Sequence, residues 1–254
     1  MNRLKVLDLF SGIGGFSLGL ERTGGFETVA FCEIEPFCRR ELARLWPTVR
    51  QYHDVQTLTG AVLASDGITV DAICGGFPCQ DISLAGNGEG IEGARSSLWR
   101  HYARLVGEIR PQFVIVENVA ALLSRGHGDV LGDLAALGYD AEWHCVPAAY
   151  VGARHIRDRV WIVAVPTGQR QNARPYVDAE LLERFRESCA AWGEDRFIPG
   201  TELRDDWTPP DSLFEPLDDG LPERLDWLGA FGNAVVPQIP ELIGRAILQA
   251  RAAA

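Results

Sequence analysis

Residues 4–10, LKVLDLF, form an apolar run that ends directly on Ser11-Gly12-Ile13-Gly14-Gly15. A strand this apolar suits the interior of a parallel sheet, where both faces are covered. The glycines after it allow a turn tight enough to open a helix at once, through Leu18 and Leu20. Parallel strands need crossover connections, so the opening commits the chain to alternating strands and helices. The alternation continues. Residues 26–32, 70–74, 113–117 and 160–165 read as strands. Helices fit from Pro36, a first-turn residue, to about Trp46-Pro47, over 97–109 with Pro111 as its stop, and over 129–137 with Gly138 as its cap. The expected fold class is α/β, a Rossmann-like sheet of mostly parallel strands with helices on both faces.

With 254 residues, 46% of them hydrophobic and 23% charged, the chain suits one compact domain or one domain carrying a smaller insertion. The texture changes after Pro166. Residues 166–227 hold one amphipathic helical stretch, 178–192, amid Pro- and Asp-rich sequence such as Asp205-Asp206-Trp207-Thr208-Pro209-Pro210. Order returns at Leu228, with a final helix expected from about Pro240 to Arg251. The expected division is therefore 1–165, 166–227 and 228–254. No run of 18 apolar residues and no signal-peptide pattern occurs, so a cytoplasmic protein without a membrane partner is expected. The six cysteines include no C-x-x-C pair, which argues against a zinc ribbon, and no metal site is expected. A net charge of −11 argues against a generic nucleic-acid coat, although Arg154, Arg157 and Arg159 form a local basic patch.

Five places could carry chemistry. The glycines at 12, 14 and 15 depart from G-x-G-x-x-G, so a nucleoside ligand other than a dinucleotide is favoured at the first turn. Glu33 ends the second strand, where an acid can hold two ribose hydroxyls, or else stands as a solvated acid at a strand end. Cys79, in Gly75-Gly76-Phe77-Pro78-Cys79-Gln80, follows a buried strand and so has a nucleophile's address. The polar, glycine-rich residues 81–95 after it resemble a loop that closes over a substrate. The other five cysteines read as filler. Glu117 and Asn118 end another buried strand on the same edge. Desolvation there favours a raised carboxyl pKa, and the competing reading is a helix N-cap pair. Arg157 and Arg159 alternate and so share one strand face, for a base oxygen and phosphates or as a solvated edge-strand face.

Taken in order, residues 8–15, Glu33, Asp54, Pro78-Cys79-Gln80, Glu117-Asn118-Val119, Arg157-x-Arg159 and Gly232-Asn233-Ala234-Val235 resemble the cytosine-5 DNA methyltransferase family. The resemblance covers nearly all of 1–165 and 228–254. It implies a mixed sheet of the S-adenosyl-L-methionine-dependent methyltransferase type, in a short form with a target-recognition region inserted at 166–227. It implies that Phe10, Ser11, Gly12, Ile13 and Gly14 surround the methionine part of S-adenosyl-L-methionine. Glu33 would hold the ribose, Ile34 would lie on the adenine, Asp54 would take its amino group, and Pro78 and Asn233 would complete the pocket. Cys79 would be the nucleophile that adds at C6 of a flipped cytosine. Glu117 would bind N3 and the exocyclic amine, Arg159 would contact O2, and Arg157 would orient the constellation. Gln80, Ser83, Arg95 and Arg157 would contact double-stranded DNA. The implied setting is a monomer in a prokaryotic or phage-infected cell, with a cognate restriction endonuclease as a partner class.

The chain departs from the family pattern at His155, where Gln is usual, and at Ala85, where Ser is common. The segment linking the recognition region to Gly232-Asn233 is short, something like Gly220-Leu221-Pro222-Glu223-Arg224-Leu225. Three other readings stay open: a family member acting on transfer RNA, an inactive member that only binds nucleic acid, and a nicotinamide oxidoreductase.

Overall fold

The computed structural model describes residues 2–78, 97–151, 158–169 and 234–252. Their order is β1 (Leu4–Leu9), α1 (Gly15–Arg22), β2 (Phe26–Cys32), α2 (Pro36–Leu45), β3 (Arg50–Tyr52), α3 (Gly60–Ser65) and β4 (Ala72–Gly75). There follow α4 (Ser97–Ile109), β5 (Phe113–Val119), α5 (Leu122–Arg125), α6 (His127–Ala136), β6 (Tyr139–Pro147), β7 (Asp158–Pro166) and α7 (Gln238–Ala252). The strands form one seven-stranded sheet ordered β3-β2-β1-β4-β5-β7-β6. Pairings from β3 through β5 are parallel, and β7 runs antiparallel to both β5 and β6. The sheet is thus mixed, with its parallel part where the alternation of strands and helices is clearest.

Strand alternation divides the core in two. Leu7, Leu9, Ile73, Val114, Val116 and Ile162 pack on one face with Leu63 of α3, Trp99, Tyr102 and Leu105 of α4, and Leu134 of α6. Leu4, Val6, Cys74, Ile115, Trp161 and Val163 pack on the other with Phe16 and Leu20 of α1 and Ile239, Leu242 and Ile243 of α7. Among the described residues no helix is long and apolar enough to cross a membrane.

The bounds of β2 and α4 are those expected, and Pro36 opens α2. Other ends move. The strand expected over 70–74 is Ala72–Gly75, and the helix expected over 129–137 is His127–Ala136. β3, α3, α5 and β6 were not expected. β3 is only three residues long, and β6 carries an edge strand's mixed burial, so neither offers an apolar run to detect. The edge-strand reading of 157–165 fails, because β7 is paired on both sides. The helix-cap reading of Glu117 and Asn118 fails as well, since both lie inside β5. The helical stretch expected over 178–192 and the whole of 170–233 lie outside the described residues.

The segment that leads into the last helix approaches the first at backbone distance, in addition to the side-chain packing between the two. A Cβ on Gly15 would stand 2.3 Å from the Val235 carbonyl oxygen, and one on Gly19 would stand 2.1 Å from that of Pro237. Gly19→Ala should therefore force backbone apart and cost about 1–3 kcal/mol, seen as a lower urea midpoint. Gly132→Ala is the control. Its Cβ would meet none of the described residues within 4 Å in mid-α6, and the change should hold or raise the midpoint.

Candidate functional site

Strand order reverses between β1 and β4, and open α/β sheets leave a crevice at the carboxyl edge beside such a reversal. The residues expected to act, where described, gather along this edge. On the β1–β2 side, the chain leaves β1 through Phe10 and Gly12 (φ +53° each) and Gly14 (φ +85°). The Ser11 hydroxyl donates to the Asp8 carbonyl at 2.6 Å and closes the turn. Around Gly12 a Cβ would meet no described residue within 4 Å, so the loop is left uncrowded by them. Gly14 is constrained twice. Its φ suits glycine, and a Cβ there would lie 2.6 Å from the Trp46 ring.

Glu33, 8% exposed, follows β2 and faces this loop. Its Oε2 accepts the Gly12 N–H at 2.7 Å and its Oε1 accepts the Glu35 N–H at 2.8 Å. Two amide donors offset the cost of burying the charge and fix the carboxylate's orientation, while each oxygen keeps a second lone pair for a ligand. Ile34 beside it is 63% exposed, a large apolar side chain on the surface. The Arg39 guanidinium donates to the main-chain oxygens of Glu33 and Ile34 and holds the turn that presents both. Asp54, past β3, is half-buried, with Oδ1 accepting the Gln56 N–H at 2.8 Å.

Across the reversal, Glu117 near the end of β5 lies on the antiparallel partner β7. Val119 pairs with Arg159, and Glu117 Oε1 stands 2.8 Å from Arg159 Nε. The other carboxylate oxygen packs on Gly76, where a Cβ would fall 2.6 Å from Oε2. Any side chain at 76 would displace the carboxylate. Glu117 is 8% exposed, so its charge is compensated by a guanidinium rather than by bulk water. Pro78 follows Gly76 and Phe77 on the same edge and is half-buried. Cys79, Gln80, Ser83, Arg95, Arg157 and Asn233 lie outside the described residues, as do Ala85 and His155. Ala234, the residue after Asn233, is described, and Val235 packs on α1 at Gly15.

Several contributions are not read from the sequence. Trp46 and Gly76 act through contacts between segments distant in sequence, and the Asn118 bond to Phe77 is equally non-local, whereas Arg39 holds a turn only five and six residues away. Asp8 lies in the first motif, but its side chain had no assigned task. It is fully buried, its Oδ2 accepts the Ser17 hydroxyl at 2.7 Å, and its Oδ1 has no hydrogen-bond partner among the described residues. Burial pushes its pKa up to about 7, against the lowering effect of its hydrogen bonding with Ser17. Burial likewise pushes the Cys32 thiol up to about 12, with the charges of Glu33 and Asp54 adding to it, and holds Cys74 well above the ordinary thiol range. Both cysteines are poor nucleophiles, in keeping with a filler role.

A family model described as C-5 cytosine-specific DNA methylase matches residues 4–191. The chain is 34% identical over 169 residues to the Type II methyltransferase M2.BsuMI of Bacillus subtilis, covering 63% of this chain and 42% of that protein. It is 35% identical over 180 residues to the Type II methyltransferase M.Sau3AI of Staphylococcus aureus, covering 64% and 43%. It spans less than half the length of either relative. The solved structure of the Entamoeba histolytica methyltransferase EhMeth matches with a TM-score of 0.59 at 17% identity, over 70% of this chain and 61% of that one, a likeness of fold.

The buried Asp8 gives a pH prediction. Between its ordinary value of 3.8 and about 7, the folded chain keeps a proton that the unfolded chain has released. Its contribution to stability is therefore full below the unfolded pKa and lost as pH rises through the folded one. Asp8→Asn removes this titration. Urea unfolding from pH 5 to 7.5 should show the variant gaining stability relative to the unaltered chain as pH rises. Parallel profiles would show that Asp8 does not titrate in that window.

Proposed function

The chain belongs to the C-5 cytosine-specific DNA methylase family, and on that footing we propose that it transfers a methyl group from S-adenosyl-L-methionine to C5 of a flipped cytosine in duplex DNA. The observation that carries this reading is the Glu117 carboxylate, paired with Arg159 and seated on Gly76, which is three residues upstream of Cys79. An acid there is placed to hydrogen-bond a base held over the following residues.

The β1–β2 side fits an adenosine-bearing cofactor. The space the described residues leave at Gly12, the buried Glu33 carboxylate with lone pairs to spare and the uncovered Ile34 suit a loop backbone, a ribose and an adenine face respectively. Phe10, Ser11, Gly12, Ile13 and Gly14 would hold the methionine part, Glu33 the ribose hydroxyls, Ile34 the adenine face and Asp54 its amino group. Pro78 and Asn233 would complete the pocket. When bound, the cofactor supplies an electrophilic methyl group.

The chain's own residues make C5 reactive. The Cys79 thiolate adds to C6, forming an S–C6 bond and moving electron density toward C5. Glu117 hydrogen-bonds N3 and the exocyclic amine and favours the N3-protonated ring, which stabilises the charge that addition creates. Arg159 orients Glu117 and contacts O2, and Arg157 orients the constellation from the residues preceding β7. After C5 is methylated, its proton leaves to a base. The S–C6 bond then breaks, restoring the ring and the thiolate. Because a thiol cannot reach C6 within the stack, the cytosine must be extruded. Residues 166–227 serve as the recognition region, and Gln80, Ser83, Arg95 and Arg157 contact the duplex. The same reading places a monomer in the cytoplasm of a prokaryotic or phage-infected cell, with a cognate restriction endonuclease as its functional partner.

Labelled methyl transfer to duplex DNA, with transfer RNA as competitor, tests the substrate. Cys79→Ala should lower transfer by about 10³-fold or more, with the cofactor dissociation constant within about twofold by calorimetry, since the adenosine pocket is built elsewhere. Glu117→Gln should cost about 10²–10⁴-fold. Full transfer by Cys79→Ala would overturn the mechanism. Preference for transfer RNA would reassign the substrate, and nucleic-acid binding without any transfer would make the chain a binding member of the family.

A further inference from the structure

We propose that Asn118 is a positioning residue, clamping the backbone immediately ahead of Cys79 through the Phe77 carbonyl. The inference rests on Cys79 being the nucleophile, as proposed above. Asn118 is 2% exposed near the end of β5. Its Nδ2 donates to the Phe77 carbonyl oxygen at 3.1 Å, and its Oδ1 accepts the Val119 N–H at 2.9 Å. The second bond fixes the amide's rotation, so the first is aimed. A buried carboxamide that reaches across 41 residues to a single carbonyl ties β5 to the segment after β4.

Phe77 is held a second time, by its side chain. The ring is 2% exposed and lies 5.4 Å from the Trp99 ring, which stacks on Tyr102 at 5.3 Å. The Trp99 indole N–H donates to Asp133 Oδ2 at 2.8 Å, and the Tyr102 hydroxyl donates to the Ile115 carbonyl at 3.1 Å. Ring and carbonyl of one residue are thereby fixed to α4 and β5 respectively. The next residue is Pro78, whose φ is closed to rotation, so few soft dihedrals separate the clamped carbonyl from Cys79. β5 alternation divides the work: Glu117 turns to the α1–α7 face with Arg159, while Asn118 turns to the α4 face with Phe77.

The test compares Asn118→Asp and Asn118→Ala with the unaltered chain. Asn118→Asp keeps the acceptor for Val119 N–H but sets an oxygen against the Phe77 carbonyl. The rate of adduct formation on a duplex carrying 5-fluorocytosine should fall about tenfold or more in both variants at pH 8. The dissociation constant for S-adenosyl-L-methionine should stay within twofold, and amide exchange in the peptide spanning 75–80 should rise. A protonated carboxyl regains the donor, so the Asn118→Asp deficit should shrink as pH is lowered to 5.5, whereas that of Asn118→Ala should not. Adduct rates within twofold of the unaltered chain would overturn the proposal, as would affinity for the cofactor falling in step with rate. Should the unaltered chain form no adduct, the nucleophile reading itself fails. Exchange over 75–80 then decides the clamp alone, an unchanged rate in both variants counting against it.

Discussion

The site depends on how closely β1 and β4 can run where strand order reverses. A Cβ on Gly75 would stand 2.3 Å from the Leu9 carbonyl oxygen, so the last residue of β4 must lack one for the two strands to stay paired to their ends. That approach sets the loop after β1 and the segment after β4 side by side. The first carries the glycine turn facing Glu33, and the second carries Gly76, Phe77 and Pro78 toward Cys79. A cofactor pocket and a nucleophile need to be neighbours for transfer between them. On the proposed reading of the two segments, backbone spacing in the sheet would meet that requirement before any side chain is considered.

Three carboxylates are buried at this edge, and their surroundings separate them. Glu33 accepts two main-chain N–H bonds and Glu117 pairs with Arg159. Asp8, more deeply buried, has a hydroxyl for one oxygen and no partner for the other among the described residues. Charge burial is costly unless donors or a counter-charge compensate it. Glu33 and Glu117 have that compensation, whereas for Asp8 desolvation wins and the proton is retained to about pH 7. Losing one partner of a fully buried pair costs about 3–5 kcal/mol. Arg159, with its side chain 20% exposed, would cost less, because water can reach the vacated carboxylate.

Legibility in the sequence followed the range of the interactions involved. β2 and α4 were readable because an apolar run or a 3.6-residue period defines them within a few turns, with Pro111 marking the end of α4. Glu33 and Glu117 were readable because each follows such a run by one residue or ends it. β6 was not, since its outer edge leaves Trp143 and Cys145 exposed and breaks the alternation that betrays a half-buried strand. Arg39 reaches carbonyls five and six residues back from a helix start, and Asn118 reaches a loop from another strand. The Asn118 contact exists only after the sheet has formed, so no window of sequence contains it.

Register in β5 carries the remaining constraint. Neighbouring residues of a strand face opposite sides, so Glu117 and Asn118 can serve two faces of the sheet from consecutive positions. A slip of one residue would send the acid toward the aromatic stack of Phe77, Trp99 and Tyr102 and the amide toward Arg159. β5 resists such a slip because it is pinned on both flanks, parallel to β4 from Phe113 to Val116 and antiparallel to β7 from Val114 to Val119. The antiparallel partner extends three residues beyond the parallel one, and those three are Glu117, Asn118 and Val119. The mixed character of the sheet is therefore what holds the acid and the clamp in ladder-bonded backbone at the point where the parallel strands have ended.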